Sequence, residues 1–553
     1  MHSLLILLSY YWLITFSLVG YGILFNRFFL KSSENDIGYI GVYGIFILIF
    51  FSYITSFFTP HTELFNSIVL LIGLVNILIN RKKNIIQKNI KKLLIVFFIL
   101  IIFILLAKNH DDFPYYHFPY TYLLTEYSNM VGLGNFNHGF RTHSSIFYLS
   151  SLFNLPYSNF FLVHLSPAFF MGFANIILYN KISVYLGGKK PSYILYLSLL
   201  SLVFINVFFV RLGEHGTDRS AMILIMVIII ELFYLTNNSN KIIDKSSFLK
   251  LLIFVTLIIS LKTFYALYCL LLIPVVFYLN KNKISLIFFF KNKITYLCLV
   301  MFLLLFTVNF FNSGCLLYPV KFTCFENFSW SIPISEVEQM NIWYQQWAKA
   351  GANPNFRVEN PEIYIKNFNW VSNWVDMYFF NKVSDYLAGL IFLCLVVGLT
   401  FFSKKIYKSK KPKFWLIYSI LIFLTIEWFY LLPTLRYGGY HLIALLLFVP
   451  LSIYLSRYAI DSKLLRKKIY FIIFLTITVF LSRNISRINK EYHAYDYNIL
   501  NNAFYWDYQK NFSIPNLIKN INKCHIKKDL DTCSDHYIKV KFLNNSYIYY
   551  QER

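Results

Sequence analysis

The chain has 553 residues, 57% of them hydrophobic and only 14% charged, and its mean hydropathy is +0.54. Soluble domains carry about 25% charged residues, so a string of water-soluble domains is excluded, as is a disordered chain, and lipid is the solvent that fits. The net charge of +25 does not call for a nucleic-acid partner, because Lys and Arg collect in short clusters between apolar runs, where the positive-inside rule places cytoplasmic loops.

The first apolar run, 4–25, is as long as a membrane span. It lacks a basic leader and a small-residue cleavage site, so it reads as a span and not as a removable signal. Further spans are predicted at 38–58, 63–80, 93–107, 159–180, 192–210, 220–236, 250–261, 264–279, 295–312, 383–403, 414–432, 439–456 and 469–482. That makes about fourteen crossings of an all-α polytopic membrane protein. The basic stretches 81–92, 404–413 and 457–468 mark the cytoplasmic side. Both termini then lie outside, in the periplasm of a bacterial inner membrane. The run 251–279 holds one charge, Lys262. As one helix it would be about 44 Å long, against a hydrocarbon core of about 30 Å. Two short helices hinged near Lys262–Thr263 keep the loop signs consistent and set Lys262 near the outer face. No internal repeat is visible, which weighs against a secondary transporter.

The outer loops are predicted at 108–145, 211–219 and 313–382, with a small α+β module after 483. Residues 536–542 alternate with period two, Asn544-Asn545 marks a turn, and 546–550 returns as a second strand. Four cysteines fall outside in two close pairs, Cys315/Cys324 and Cys524/Cys533. In an oxidising compartment these read as two disulfides; zinc is the rival, but neither pair has Cys-x-x-Cys spacing. Five tryptophans, Trp330, Trp343, Trp347, Trp370 and Trp374, populate the 313–382 loop. They read either as an interfacial belt or as a platform for carbohydrate.

Chemistry concentrates in the first outer loop. Asp111 and Asp112 follow a span directly, with His110 and His117 on either side. Two short aromatic stretches, 117–130 and 143–154, suit helices lying in the membrane interface. A carboxylate at that depth suits a general base for a hydroxyl nucleophile, and cations from other loops would stabilise a phosphate leaving group. The candidates for that role are Arg141, Arg211, Lys262 and Arg436. Asp218, Glu214, His117, His215, His138 and His441 are candidate acceptor-binding or supporting groups.

The motif resembles the GT-C superfamily of polytopic glycosyltransferases. It is more closely similar to a group of uncharacterised bacterial membrane proteins. The likeness rests on Asp112-Phe-Pro-Tyr-Tyr-His117, Gly132-Leu-Gly-Asn135, His138, Arg141 and Ser144-Ser145. The sequence departs from that group at Phe113-Pro114, and from the usual superfamily layout, with the motif after the first span, in having about three more spans before the Asp loop. The resemblance implies direct, inverting displacement of a sugar from a polyprenyl-phosphate carrier. Asp112 would then be the base and Asp111 the alternative. Arg436, Lys262, Arg211 and Arg141 would hold the donor phosphate, and the acceptor would be a glycan, lipid or protein. Some superfamily members use a divalent metal, for which the Asp pair would be the place. A surface-polysaccharide polymerase or ligase is the competing enzyme reading, and a lipid-linked glycan transporter the competing non-enzyme one.

Overall fold

The computed structural model describes the chain except residues 1, 32–35, 81–83, 187–191, 215, 238–245, 282–284, 286, 407–413, 505–513, 527–537, 544–545 and 552–553. It is built mostly of helices. Among the described residues seven are long and apolar enough to cross a membrane, and five shorter apolar helices accompany them. The chain is a membrane protein on that evidence. Each of the fourteen apolar segments overlaps a helix, with some boundaries shifted. The 93–107 segment divides into Asn84–Ile99 and a single turn, Ile101–Ile104, and the 469–482 segment sits inside a 34-residue helix, Ser462–Tyr495. Side-chain caps start several helices: Asp36 accepts from Gly38 N at 2.8 Å, Asn292 from Ile294 N at 2.9 Å and Asp461 from Lys463 N at 3.0 Å. Each satisfies a backbone donor that the first turn leaves open.

The helices at the start of the chain approach unusually closely. A Cβ on Gly44 would sit 1.8 Å from the Leu18 carbonyl oxygen, and one on Gly22 would sit 1.8 Å from that of Ile40. Small residues here let His2–Phe25 and Ile37–Thr55 pack backbone to backbone, which is how helices gain dispersion energy in lipid.

The 250–279 region bends as a hairpin. Ser246–Leu261 ends at Lys262, whose extended backbone (φ −154°, ψ 112°) opens a 3-10 helix, Thr263–Leu272, followed by Ile273–Lys281. The arms return on each other: Phe248, at the start of the first, packs 6.1 Å from Tyr278, near the end of the second.

The 108–145 loop differs from expectation. Its short helices, Phe118–Glu126 and Ser145–Ser151, exist, but Phe118–Thr125 and the whole of Ser145–Ser151 are buried. They are core elements, not interfacial ones. Their aromatic faces pack on each other and on neighbouring helices (Tyr53 stacks 4.0 Å from Tyr148), so no side remains for water. The tail strands form as predicted. β2 (Ile538–Leu543) and β3 (Ser546–Gln551) pair antiparallel. They are not free-standing, because β3 also pairs in parallel with β1 (Met130–Val131) from the first outer loop, in the order β1-β3-β2. Cys315 and Cys324 form a disulfide, whereas Cys533, and with it the second predicted pairing, lies outside the described residues.

A buried ionic group at the other end of the bundle was not visible in the sequence. Glu231, inside the Thr217–Asn237 helix, pairs with Lys181 at 2.5 Å and accepts from the Tyr39 hydroxyl; Lys250 lies 3.7 Å from the centre of the Tyr39 ring.

The close helix crossing gives a direct test. Gly44→Ala forces the backbones apart, and overpacking of this kind costs about 1–3 kcal/mol. The thermal midpoint of the detergent-solubilised protein should fall, whereas Gly398→Ala, whose new Cβ would meet nothing within 4 Å, should leave it unchanged.

Candidate functional site

Asp112 opens a single helical turn, Phe113–His117, with Pro114 in its first positions, where a missing N–H costs nothing. The chain leading to it is held from the far end of the sequence. Arg487 donates to the carbonyls of Leu105 (2.7 Å) and Ile102 (3.2 Å) and pairs with Glu491 at 3.0 Å. Glu491 in turn accepts the Ala107 N–H at 2.9 Å. Here a buried ion pair does the work of a helix cap, satisfying carbonyls that the Ile101–Ile104 turn leaves open. The His110 N–H donates to the Glu214 carbonyl at 2.8 Å, which ties the Asp loop to the 211–219 loop.

Arg436 stands on a short turn, Leu435–Tyr437, between two apolar helices, Trp415–Leu431 and Gly439–Leu455. Gly438 (φ 156°) allows the turn to re-enter the helix. Side chains satisfy the loop backbone: the Trp428 indole donates to Thr434 O at 2.7 Å, the Trp374 indole to Pro433 O at 2.8 Å, and Leu435 N donates to the Tyr378 hydroxyl at 3.0 Å.

Four ionised groups meet between these loops. Arg436 bridges two carboxylates: its Nη2 pairs with Asp112 Oδ2 and its Nε with Asp218 Oδ2 at 2.7 Å. Lys262, at the hairpin break, pairs with the other oxygen of Asp218 at 3.0 Å, and its Nζ lies 5.6 Å from the centre of the Tyr437 ring. Asp218 occupies the first turn of its helix, where a carboxylate also meets the positive end of the helix dipole. Its side chain is 6% exposed, against 28% for Asp112 and 29% for Arg436. The cluster is therefore open on its Asp112–Arg436 side.

The environment of Asp112 is asymmetric. Tyr116 OH donates to Oδ2 at 3.1 Å, the same oxygen that Arg436 holds. No described contact falls on Oδ1. Burial pushes the carboxyl up, but the Arg436 guanidinium, with His110 and the Tyr116 hydroxyl, outweighs it and holds Asp112 below the ordinary carboxylate range. His110 is lowered to about 4, by burial first and then by Arg436. It is neutral near pH 7, and its Nδ1 accepts the Asp112 N–H at 3.1 Å. The 3.6 Å approach of that nitrogen to Asp112 Oδ2 is consequently not an ion pair.

Other candidates lie elsewhere. Asp111 turns outward, 82% exposed, and pairs with Lys108 at 3.5 Å. Arg141 is buried, with Nη2 on Glu336 at 2.6 Å, and Arg211 is held by both oxygens of Glu214. Sequence spacing could not reveal Glu336 as a partner, although Glu214 lies only three residues after Arg211, and neither arginine is seen to join the Arg436 cluster. His117 is buried beside the site, its ring 5.8 Å from that of His110; His441 is buried and bonded to Tyr268 OH at 2.6 Å; His138 is exposed. His215 lies outside the described residues. The Asp111–Asp112 pair does not fit a divalent cation, because one carboxylate turns to Lys108 and the other to Arg436. Among the described residues no three His, Cys, Asp or Glu side chains form a cation cage. Three participants escaped the sequence reading of roles: His110, Tyr116 and Tyr437. The Asp-x-x-x-Tyr spacing of Asp112 and Tyr116, one helical turn, was the available signal. A groove of about 340 Å³ lined by Ile485, Ile488, Tyr492 and Leu500 shares no residue with this cluster.

An apolar helical bundle with a buried carboxylate–guanidinium–carboxylate–ammonium chain at one end of its helices defines the class of protein. The chain belongs to the family described as a domain of unknown function, DUF8201, whose model matches residues 4–443. No curated protein and no solved structure matches it. The matched region includes all four members of the cluster and stops before the Arg487–Glu491 clasp.

Breaking one partner of a buried pair costs about 3–5 kcal/mol, because the survivor is left uncompensated. Asp218→Asn should lower the thermal midpoint of the purified protein. Adding Lys262→Met should recover part of the loss. If the double variant is as unstable as the sum of the two single variants, the pair is not coupled as described.

Proposed function

We propose that the protein is a membrane glycosyltransferase that transfers a sugar from a polyprenyl-phosphate carrier to an acceptor hydroxyl, with inversion. The observation that supports this most directly is the arrangement at Asp112, where cation and phenol contacts converge on Oδ2 and no contact among the described residues falls on Oδ1, beside Arg436 and Lys262. The resemblance of the Asp loop to GT-C enzymes supports the same reading. In this scheme the acceptor oxygen attacks the anomeric carbon and its proton passes to Asp112 Oδ1. The bond from the anomeric carbon to the phosphate oxygen breaks, and its electron pair leaves with polyprenyl phosphate. Arg436 and Lys262 stabilise the charge that gathers on that phosphate. Asp218 holds the two cations together and apart from Asp112 Oδ1. Fourteen crossings with both termini in the periplasm would set the site at the outer leaflet of a bacterial inner membrane, where lipid delivers the donor. A glycan, lipid or protein supplies the acceptor.

The test is transfer by the full chain, reconstituted with polyprenyl-phosphate sugars. Asp112→Asn should reduce turnover by about 100- to 10,000-fold, the usual worth of a general base, while Asp111→Asn should leave it unchanged. Undiminished transfer by Asp112→Asn removes this residue from the chemistry.

The pH profile gives a separate check. A base must be ionised, so the rate falls as acid protonates Asp112. Because that carboxyl is held below its ordinary range, and His110 near 4, the rate should be level from about pH 5 to 8. A midpoint near 6.5 would instead point to an unperturbed histidine.

A further inference from the structure

The five outer-loop tryptophans divide into two groups. Trp370 is fully buried, Trp374 gives its indole N–H to Pro433, and Trp330 gives its own to Phe310 O at 3.2 Å. These three hold the fold together. Trp343 and Trp347 are different. They lie on the helix Ile334–Lys349, seven and eleven residues after Glu336, so all three share one face. Glu336 is pinned by Arg141, whose guanidinium also donates to Gly134 O at 2.8 Å and to Tyr318 OH at 3.1 Å. That bridge fixes the tryptophan face against the Asp loop. Trp343 meets exposed His138 edge-on, with ring centres 6.1 Å apart and planes at 68°. One turn further, Trp347 meets Tyr437 at 5.6 Å and 62°. Tyr437 is the immediate neighbour of Arg436 and faces Lys262.

Both indoles are part-exposed, and among the described residues no aromatic ring stacks flat on either. The wall also carries little net charge, since Arg141 and Glu336 neutralise each other. Flat apolar ring faces bordered by an imidazole and a phenol suit the C–H face and hydroxyl edge of a neutral pyranose. The ring faces themselves supply no cation for a uronate or a sugar phosphate, and the nearby Arg436 and Lys262 are already held by Asp112 and Asp218. We propose that Trp343, Trp347, His138 and Tyr437 form a subsite for a neutral pyranose unit of the acceptor glycan, beside Asp112. Calling that glycan the acceptor rests on the glycosyl-transfer reading; the binding itself does not.

The experiment is a tryptophan-fluorescence titration of the detergent-purified full chain with maltotriose, cellotriose, triacetylchitotriose and, as the anionic probe, trigalacturonate. At least one neutral trisaccharide should give a saturable change, and trigalacturonate should give none. Trp343→Ala and Trp347→Ala should each weaken binding about tenfold or more, a loss of one stacked ring. Trp343→Phe, which keeps a flat face, should recover most of it, and Trp330→Phe should not alter affinity. Asp112→Asn should bind normally while failing to transfer. The subsite is overturned if no neutral trisaccharide binds, if trigalacturonate binds equally well, or if Trp343→Ala and Trp347→Ala bind as the parent does. Sugar binding that depends on Trp343 in a protein with no transferase activity would keep the subsite and discard the transferase.

Discussion

A carboxylate removed from water must find a cation, and here one guanidinium meets that need for two carboxylates. Arg436 can bridge Asp112 and Asp218 only if the turn between two late helices, the start of a middle helix and the loop carrying Asp112 converge within a few ångströms. Lys262 adds a fourth segment, by breaking its own helix where the second oxygen of Asp218 awaits it. An isolated charge at that depth would cost several kcal/mol. Four charges in alternating sign cost far less, so the bundle is driven toward the one arrangement that pairs them. The hairpin at Lys262 and the buried Asp loop both answer to that requirement.

The segments that carry Asp112 and Arg436 are fixed by side chains bonding to their backbone. Arg487 and Glu491 grip the strand of chain before Asp112, two indoles and a phenol grip the turn before Arg436, and Arg141 grips the loop beside His138. The distribution is economical of polar atoms: carbonyls and N–H groups that irregular backbone would leave bare among apolar helices are satisfied by the groups that set its position. A site made of loops is held as firmly as one on helices.

Much of this was legible in the sequence, for a physical reason. In an apolar chain the few charges outside the basic loops are conspicuous, and Asp112, Asp218, Lys262 and Arg436 could be singled out together. The kink at Lys262 followed from length and charge alone. Partnership was not legible. Arg141 looked equivalent to Arg436, because nothing local reveals that Glu336 already holds it, whereas Glu214, the partner of Arg211, stood three residues away and was not read as one. The stretches after Asp112 are aromatic and mixed in polarity, a pattern shared by interfacial helices and by core helices whose hydroxyls bond internally; only the packing separates the two. With 44 tyrosines in the chain, Tyr116 and Tyr437 had no distinguishing mark. Glu231 was hidden in the opposite way, inside a run whose apolarity masked it.

The parallel pairing of β1 with β3 joins the loop carrying Asp112 to strands near the end of the chain; Asn129 and Ser546, which bond beside it, are 417 residues apart. As synthesis proceeds from the N-terminus, Met130–Val131 emerges early and keeps an open edge until β3 has been made. Contacts this distant in sequence form last and slowly. The loop bearing Asp112 therefore reaches its final shape only after every helix has been made. A chain halted partway would carry the acid but not the structure around it, so maturation of the site is timed by the completion of the protein itself.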